Sequence, residues 1–290
     1  MPSNVTTTGA LADSLPSVIA EARLVREYAG KMPQLVERHR LAEGSGLTWD
    51  EIRLEQLAAM NITETTVLDN GQLLSDTLFS VTPAQVGVLT IITKRTMARV
   101  SKNVIGKVGG LAMNAMQRKK DEDGLTMLDG FSTSQPGAGA TLQHGVISSF
   151  VNRISGNTTE PSYEPVYAIL HPFQVKDLQD EIEAGLGTYT VPAGLSEQFY
   201  RMGFKGSVSN AEVYIDGNIT IDSSDDAKGG VFSRDALVLV EGMSLRPYNE
   251  FDPAYGGGAD KVFIYDEYAF GERRDLWGYE VYSDATAPTS

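Results

Sequence analysis

The sequence predicts an α+β fold in which helical units come first and a β-rich part follows. Three observations carry this. Between Val100 and Lys120 the apolar residues fall on one stripe at about 100° per residue, the mark of an amphipathic helix. Asn70-Gly71 is flanked on both sides by β-branched and aromatic residues, and both tolerate positive φ, so it marks a hairpin turn. From Ser207 onward the chain passes through short strand-like runs, "AEVYID", "ITID", "GVFSRDALVLVEG", "KVFIYDEYAFG" and "LWGYEVYSDA".

Taken in order, Leu11 to Arg40 reads as helical, with Leu15, Val18, Ala22, Val25 and Ala29 near a helical period. Gly30 and Pro33 interrupt it. "EGSGLTWDEIRLEQL" then offers a helix start. Thr48 stands as N-cap, Glu51 completes a capping box, and Leu47 with Ile52 forms a hydrophobic staple. The hairpin follows, its return strand running from about Thr77 to Thr93. In the next helix Met97, Val100, Val104, Val108, Leu111 and Ala115 form the apolar stripe, opposite Arg95, Arg99, Lys102, Gln117 and Lys120. Gly106, Gly109 and Gly110 each cost that helix roughly 1 kcal/mol against Ala, which suggests a close backbone approach or a bend. "DGFSTSQPGAGATLQ" reads as a linker. Val146 to Ile154 reads as a helix, "PVYAIL" as a buried strand, and Pro172 to Gly185 as a helix opened by Pro and closed by Gly.

A chain of 290 residues holds one large domain or two medium ones. Cysteine is absent, which removes disulfides and thiolate metal sites. The N-terminal stretch has neither a basic n-region nor an apolar h-region, and no apolar run approaches the roughly 18 residues of a membrane span. The reading is a soluble, cytoplasmically made protein with no membrane partner. Net charge is −14, yet from Thr77 to Lys120 there is no Asp or Glu and there are eight Lys or Arg. Of the 24 basic residues, 16 are left to oppose all 38 acidic ones elsewhere. A basic strip in so acidic a chain is a nucleic-acid grip, a membrane helix, or a surface that meets acidic partners. The overall field repels phosphates, which argues against a free DNA-binding protein.

Catalytic motifs are lacking. There is no G-x-S-x-G, and His39, His144 and His171 lie far apart in sequence. "GKVGG" fits neither a phosphate loop nor a dinucleotide fingerprint. In "KKDEDG" Lys119 stands where a calcium loop needs its first carboxylate, and "DSSDD" (Asp222 to Asp226) reads as a solvated loop. Pairs such as Glu181 with Glu183 or Asp266 with Glu267 are expected by chance among 38 carboxylates. No catalytic, cofactor-binding or metal-binding residue is assigned.

The stretches "SVTPAQVGVLTIITKRT", "RKKDEDGLTMLDGF", "PVYAILHPFQVKDL", "GGVFSRDALVLVEG" and "YDEYAFGERRDLWGYEVYSDA", in this order, resemble the major capsid proteins of tailed double-stranded DNA bacteriophages, the Hong-Kong-97-type capsid fold. The resemblance runs roughly from Leu41 to Ala285. It implies an N-terminal arm (1–40), an extended hairpin loop (41–92) with its tip at Asn70 and Gly71, and a peripheral domain (93–140 and 223–290) carrying a spine helix (100–120). An axial domain (141–222) lies between. The loop of such proteins extends over a neighbouring subunit, so extended structure is expected beyond Met60.

The implied function is structural and not enzymatic. Pentamers and hexamers build an icosahedral phage head around double-stranded DNA, made in the host bacterial cytoplasm and located in the virion. Implied partners are copies of the chain, a separate scaffolding protein, a portal, a cement or decoration protein, and packaged DNA contacted non-specifically. Lys94, Arg95, Arg99, Lys102 and Lys107 form an inter-subunit or DNA-facing strip, with subunit pairing the favoured role. Alternatives are an encapsulin-like cellular compartment, a carboxylate-dependent hydrolase and a free nucleic-acid-binding module. Some relatives cross-link their shells through a loop lysine joined to a neighbour's asparagine. Here Gly44 to Thr93 contains no lysine, and Arg53 is its sole basic residue. Shells boiled in denaturant are therefore expected to run as a single 31.4 kDa band. A ladder of covalent oligomers on the gel would overturn this.

Overall fold

The computed structural model describes residues 28, 30–44, 46–65, 71–99, 107–186 and 206–289. The predicted helix from Leu11 lies largely outside them. What is described of its end is not helical throughout. A strap from Gly30 to Val36 holds one helical turn, α1 (Met32–Leu35), with Pro33 in the first turn, where its missing N–H is no loss. Met32, Leu35 and Val36 are buried. Strand β1 (Glu37–Arg40) follows, so tertiary pairing overrides the helical period there.

The capping box at Thr48 does not start a helix. Strand β2 (Trp49–Leu54) pairs antiparallel with β3 (Asp76–Val81), Trp49 opposite Val81 and Leu54 opposite Asp76. Alternation wins because Trp49, Glu51 and Arg53 share one face that the body covers. The return strand breaks at Pro83, which cannot donate to a ladder, and resumes as β4 (Ala84–Thr93). Thr93 accepts the N–H of Thr96 on its Oγ1 (3.2 Å) and so caps α2 (Lys94–Arg99). The stretch from Lys94 to Arg99 is thus a short helix of its own, directly after the strand.

The spine helix α3 (Val108–Thr126) runs on into a 3-10 turn at Met127–Gly130. Its buried face is not the predicted stripe. Leu111 is exposed, whereas Ala112 and Met116 pack on Ile264. Helix phase follows the later contacts of Gly124, Leu125 and Leu128, and Val100 and Val104 of the predicted stripe lie outside the described residues. Gly109 has open space around it, and the close approach falls instead at Gly124, where a Cβ would stand 2.9 Å from Met32. The expected linker contains a strand, β5 (Ser134–Pro136). Next come α4 (His144–Ser155), β6 (Val166–Leu170), α5 (Pro172–Leu186), β7 (Ser207–Val208) and β8 (Ala211–Ile215). The chain ends in β9 (Asp226–Ser233), β10 (Leu237–Glu241), β11 (Arg246–Asp252), β12 (Ala259–Glu272) and β13 (Gly278–Asp284). "ITID" contributes only an isolated bridge, Ile221 to Ala227.

Two sheets result. In one, β12 carries β4 along one edge and β10 then β11 along the other, because Tyr268 pairs with both Ala84 and Glu241, and Tyr265 with both Gly87 and Arg246. Strand β1 adds parallel to β10. The other sheet has the order β5-β13-β9-β6-β8-β7. The single run "GVFSRDALVLVEG" supplies one strand to each sheet, turning at Arg234–Ala236, and the chain crosses again at Asp275–Trp277. One core fills the space between the strap, α3 and these crossings, around Met32, Leu128, Phe232 and Leu237. A second lies under α4 and α5, around Phe150, Leu170, Leu178 and Val281.

Gln174 pins α5 to the sheet. Fully buried, it accepts the N–H of His171 (3.0 Å) and donates to the carbonyl of Ala227 (2.9 Å) and to Ser283 (2.8 Å). Gln174→Leu strands these partners and is expected to cost about 2–3 kcal/mol in urea unfolding. A loss under about 0.5 kcal/mol would refute the pinning role.

Candidate functional site

The hairpin of β2 and β3 has two unlike faces. Inward, Trp49 stacks on His39 (4.4 Å between centroids) and meets Phe79 edge-on. Val81 and Phe79 rest on Gly271, where a Cβ would come within 2.4 Å of Val81. Arg273 fastens this root. Its Nε donates to Glu51 (2.8 Å), and its Nη1 donates to Glu37 (2.5 Å) and to the carbonyl of Asp235 (3.3 Å). Arg53 pairs with Glu160 (3.0 Å), which also meets Arg274 (3.2 Å). Burial alone would raise the Glu37 carboxyl, but Arg273 and His39 hold it below the usual range.

Outward, Ile52 stands directly opposite Leu78, with Leu54 beside them, and these are 62, 63 and 66% exposed. Leu57, Met60, Ile62, Leu73 and Leu74 extend the apolar surface toward the tip. The arms stay side by side there. Gln72 Oε1 accepts the N–H of Ala58 (2.9 Å), and Ser75 donates to Glu55 (2.6 Å). A solvated sheet face is ordinarily polar, and a contiguous apolar one marks an interaction surface. Gly71 is exposed and Asn70 lies outside the described residues.

The basic strip divides. Lys94 pairs with Asp260 (2.7 Å) and lies 5.3 Å from the centroid of the Phe251 ring. Arg95 and Arg99 are exposed on α2 without an ion pair among the described residues. Lys107 stands at the start of α3, partly buried, and Lys102 lies outside the described residues. Lys120, expected on the open side, turns inward to Glu241 (2.5 Å) and Asp266 (3.4 Å) over the Tyr268 ring. Tyr268 donates to Asp123 (2.9 Å), and burial with that contact raises its pKa.

The three histidines have separate local partners. His39 meets Glu37 (2.8 Å), His144 meets Glu181 (2.9 Å), and His171 is buried against Phe173, with its pKa lowered by burial. Asp222 accepts the N–H groups of Ser224 (2.8 Å) and Asp226 (3.1 Å), as a turn residue does. Among the described residues no group of three or more potential metal ligands occurs.

No protein-family model matches the chain, and no curated protein matches it. Solved structures do. The capsid of the cyanophage P-SCSP1u superposes with TM-score 0.73 at 14% identity, over 97% of this chain and 96% of that one. The capsid of Ralstonia phage GP4 gives 0.70 at 13% identity over 100% of both chains. An encapsulin complex from Synechococcus elongatus PCC 7942 gives 0.63 at 10%, over 97% of both. The chain has the Hong-Kong-97-type capsid fold. Within the capsid fold, the exposed Ile52–Leu54–Leu78 face and the Arg273 clamp were not singled out from sequence. The available signal was apolar residues on both faces of one strand, with Trp49 alternating against Ile52 and Leu54.

Arg273→Ala removes the clamp from this capsid fold and leaves Glu37 and Glu51 unbalanced. It is expected to lower stability by about 1–3 kcal/mol and to expose the β2–β3 root to proteases. Because the Glu37 value is depressed, the clamp contributes above the ordinary carboxylate range and is lost as pH falls through the folded value. Equal acid sensitivity of the wild type and Arg273→Ala would exclude that linkage.

Proposed function

We propose that the chain is the major shell subunit of a tailed double-stranded DNA phage head, assembling as pentamers and hexamers into a closed icosahedral shell. The observation that carries the reading is the outer face of the hairpin. It offers Ile52, Leu54 and Leu78 to solvent while its inner face is already used, on a fold whose solved examples include phage capsids. A neighbouring copy is the surface that would cover it. Charge supports a copy as the partner. Gly44 to Thr93 carries six carboxylates and one arginine, and Lys94 to Lys107 carries five cations and no acid. Opposite strips on one chain attract head to tail, the arrangement that closes into rings.

The reading divides the chain into the arm (1–40), the loop (41–92), the peripheral domain (93–140 and 223–290) and the axial domain (141–222). It assigns no catalysis. Noncovalent contacts hold the shell, with a scaffolding protein, a portal, a cement protein and packaged DNA as further partners. The protein is made in the host cytoplasm and resides in the virion. The likeness to an encapsulin favours a second reading, a cellular compartment. Nucleic acid inside purified particles selects the phage head, and a packaged enzyme selects the compartment.

Negative-stain microscopy of the purified protein, with its scaffolding partner where required, is expected to show closed particles hundreds of ångströms across. A stable 31.4 kDa monomer in light scattering under all conditions would overturn the proposal. Reversing Arg95 and Arg99 to Glu is expected to reduce particle yield roughly tenfold or more. Normal shells with poor genome packing would move those residues to a DNA-facing role.

A further inference from the structure

Two buried carboxylates hold the N-terminal strap, and no cation pairs with either among the described residues. Asp121 on α3 accepts the N–H of Met32 (3.0 Å), and Asp216, just after β8, accepts that of Lys31 (3.2 Å). Asn218 bridges the two, its side-chain amide donating to Asp121 (2.8 Å) and its backbone N–H to Asp216 (2.9 Å). Gly30 lies directly on Asp121, where a Cβ would stand 2.5 Å away, and the Tyr28 ring covers Gly217. We propose that Asp216, joined to Asp121 through Asn218, forms with it an acid-closed latch on the strap.

The neighbouring charges are occupied elsewhere. On α3, Lys120 turns to Glu241 and Asp266, Glu122 to Arg118 (3.5 Å), and Asp123 to Tyr268. Lys31 presents its backbone to the pair. His171, at the end of β6, accepts the Phe173 N–H on Nδ1 (3.2 Å), and burial lowers its pKa. Burial first, then the Asp121 charge, pushes Asp216 to about 6, against the opposing N–H groups of Asn218 and Lys31. Opening the strap returns Asp216 toward an ordinary value near ~3.9. The closed state therefore binds the proton more tightly, so closure is favoured as pH falls and weakens as pH rises through about 6. The opening constant changes about tenfold between about pH 5 and pH 7.5.

Hydrogen exchange on the full-length protein tests this at the amides of Lys31 and Met32, corrected for intrinsic rates. Protection is expected to be about tenfold greater at pH 5 than at pH 7.5, and Asp216→Asn is expected to flatten the profile. A flat wild-type profile, an equal shift at the β9 amides, or a slope that persists in Asp216→Asn would each overturn the latch.

Discussion

Much of this molecule turns on one guanidinium. Arg273 sits at the end of β12, where the chain leaves one sheet for the other. It binds Glu37 of β1, Glu51 of β2 and the carbonyl of Asp235 at the other crossing. Its own N–H donates to the carbonyl of Ala236 (2.9 Å). Three separate parts of the chain thereby meet at one point. The forked geometry suits this task, since Arg offers several donors in one rigid plane and a lysine would not. Without that charge, two partly buried carboxylates face each other, and the hairpin loses its ionic hold on the body.

The rest of the architecture follows from making one body rigid and leaving one element projecting. Both crossings between the sheets are short, so neither sheet can slide over the other without breaking the core around Met32, Phe232 and Leu237. The strap passes beneath α3 and adds β1 to the sheet edge, tying the N-terminal side of the chain to the same core. Against this frame the β2–β3 ribbon is held at its root by Trp49, Phe79 and Val81 and by Glu51 on Arg273, and farther out by Arg53 on Glu160 and Gln56 on the Thr159 carbonyl. A two-stranded ribbon is marginal by itself in water, so its outer half relies on a second surface for lasting order.

Much of the fold was legible from periodicity and punctuation. Pro172 and the late strands carry local signals that the tertiary structure respects, whereas the Asn70 half of the expected hairpin turn lies outside the described residues. The failures are equally local. The capping box at Thr48 is a sound helix start, but Trp49 and Phe79 had more to gain by packing inward as a ribbon. The run Gly230–Gly242 looks like one long strand element, and nothing in its residues says that its halves belong to different sheets. Lys120 was assigned to the outside because charge is normally solvated. Its partners, Glu241 and Asp266, lie more than a hundred residues away, beyond the reach of any local pattern. The basic strip was visible as composition, but its division into paired Lys94 and exposed Arg95 and Arg99 required coordinates.

The exposed aliphatic row on the hairpin has a thermal consequence. Ile52, Leu54 and Leu78 carry no charge and no hydrogen-bonding group, so covering them releases ordered water and little else. Association through such a face is driven by entropy near room temperature and carries a negative heat-capacity change. It strengthens on warming and weakens on cooling. The opposed charges of the loop and the strip behave otherwise, since added salt screens them within about 10 Å. An association built from both contacts would be loosest in the cold at high ionic strength, where its two attractions fail together.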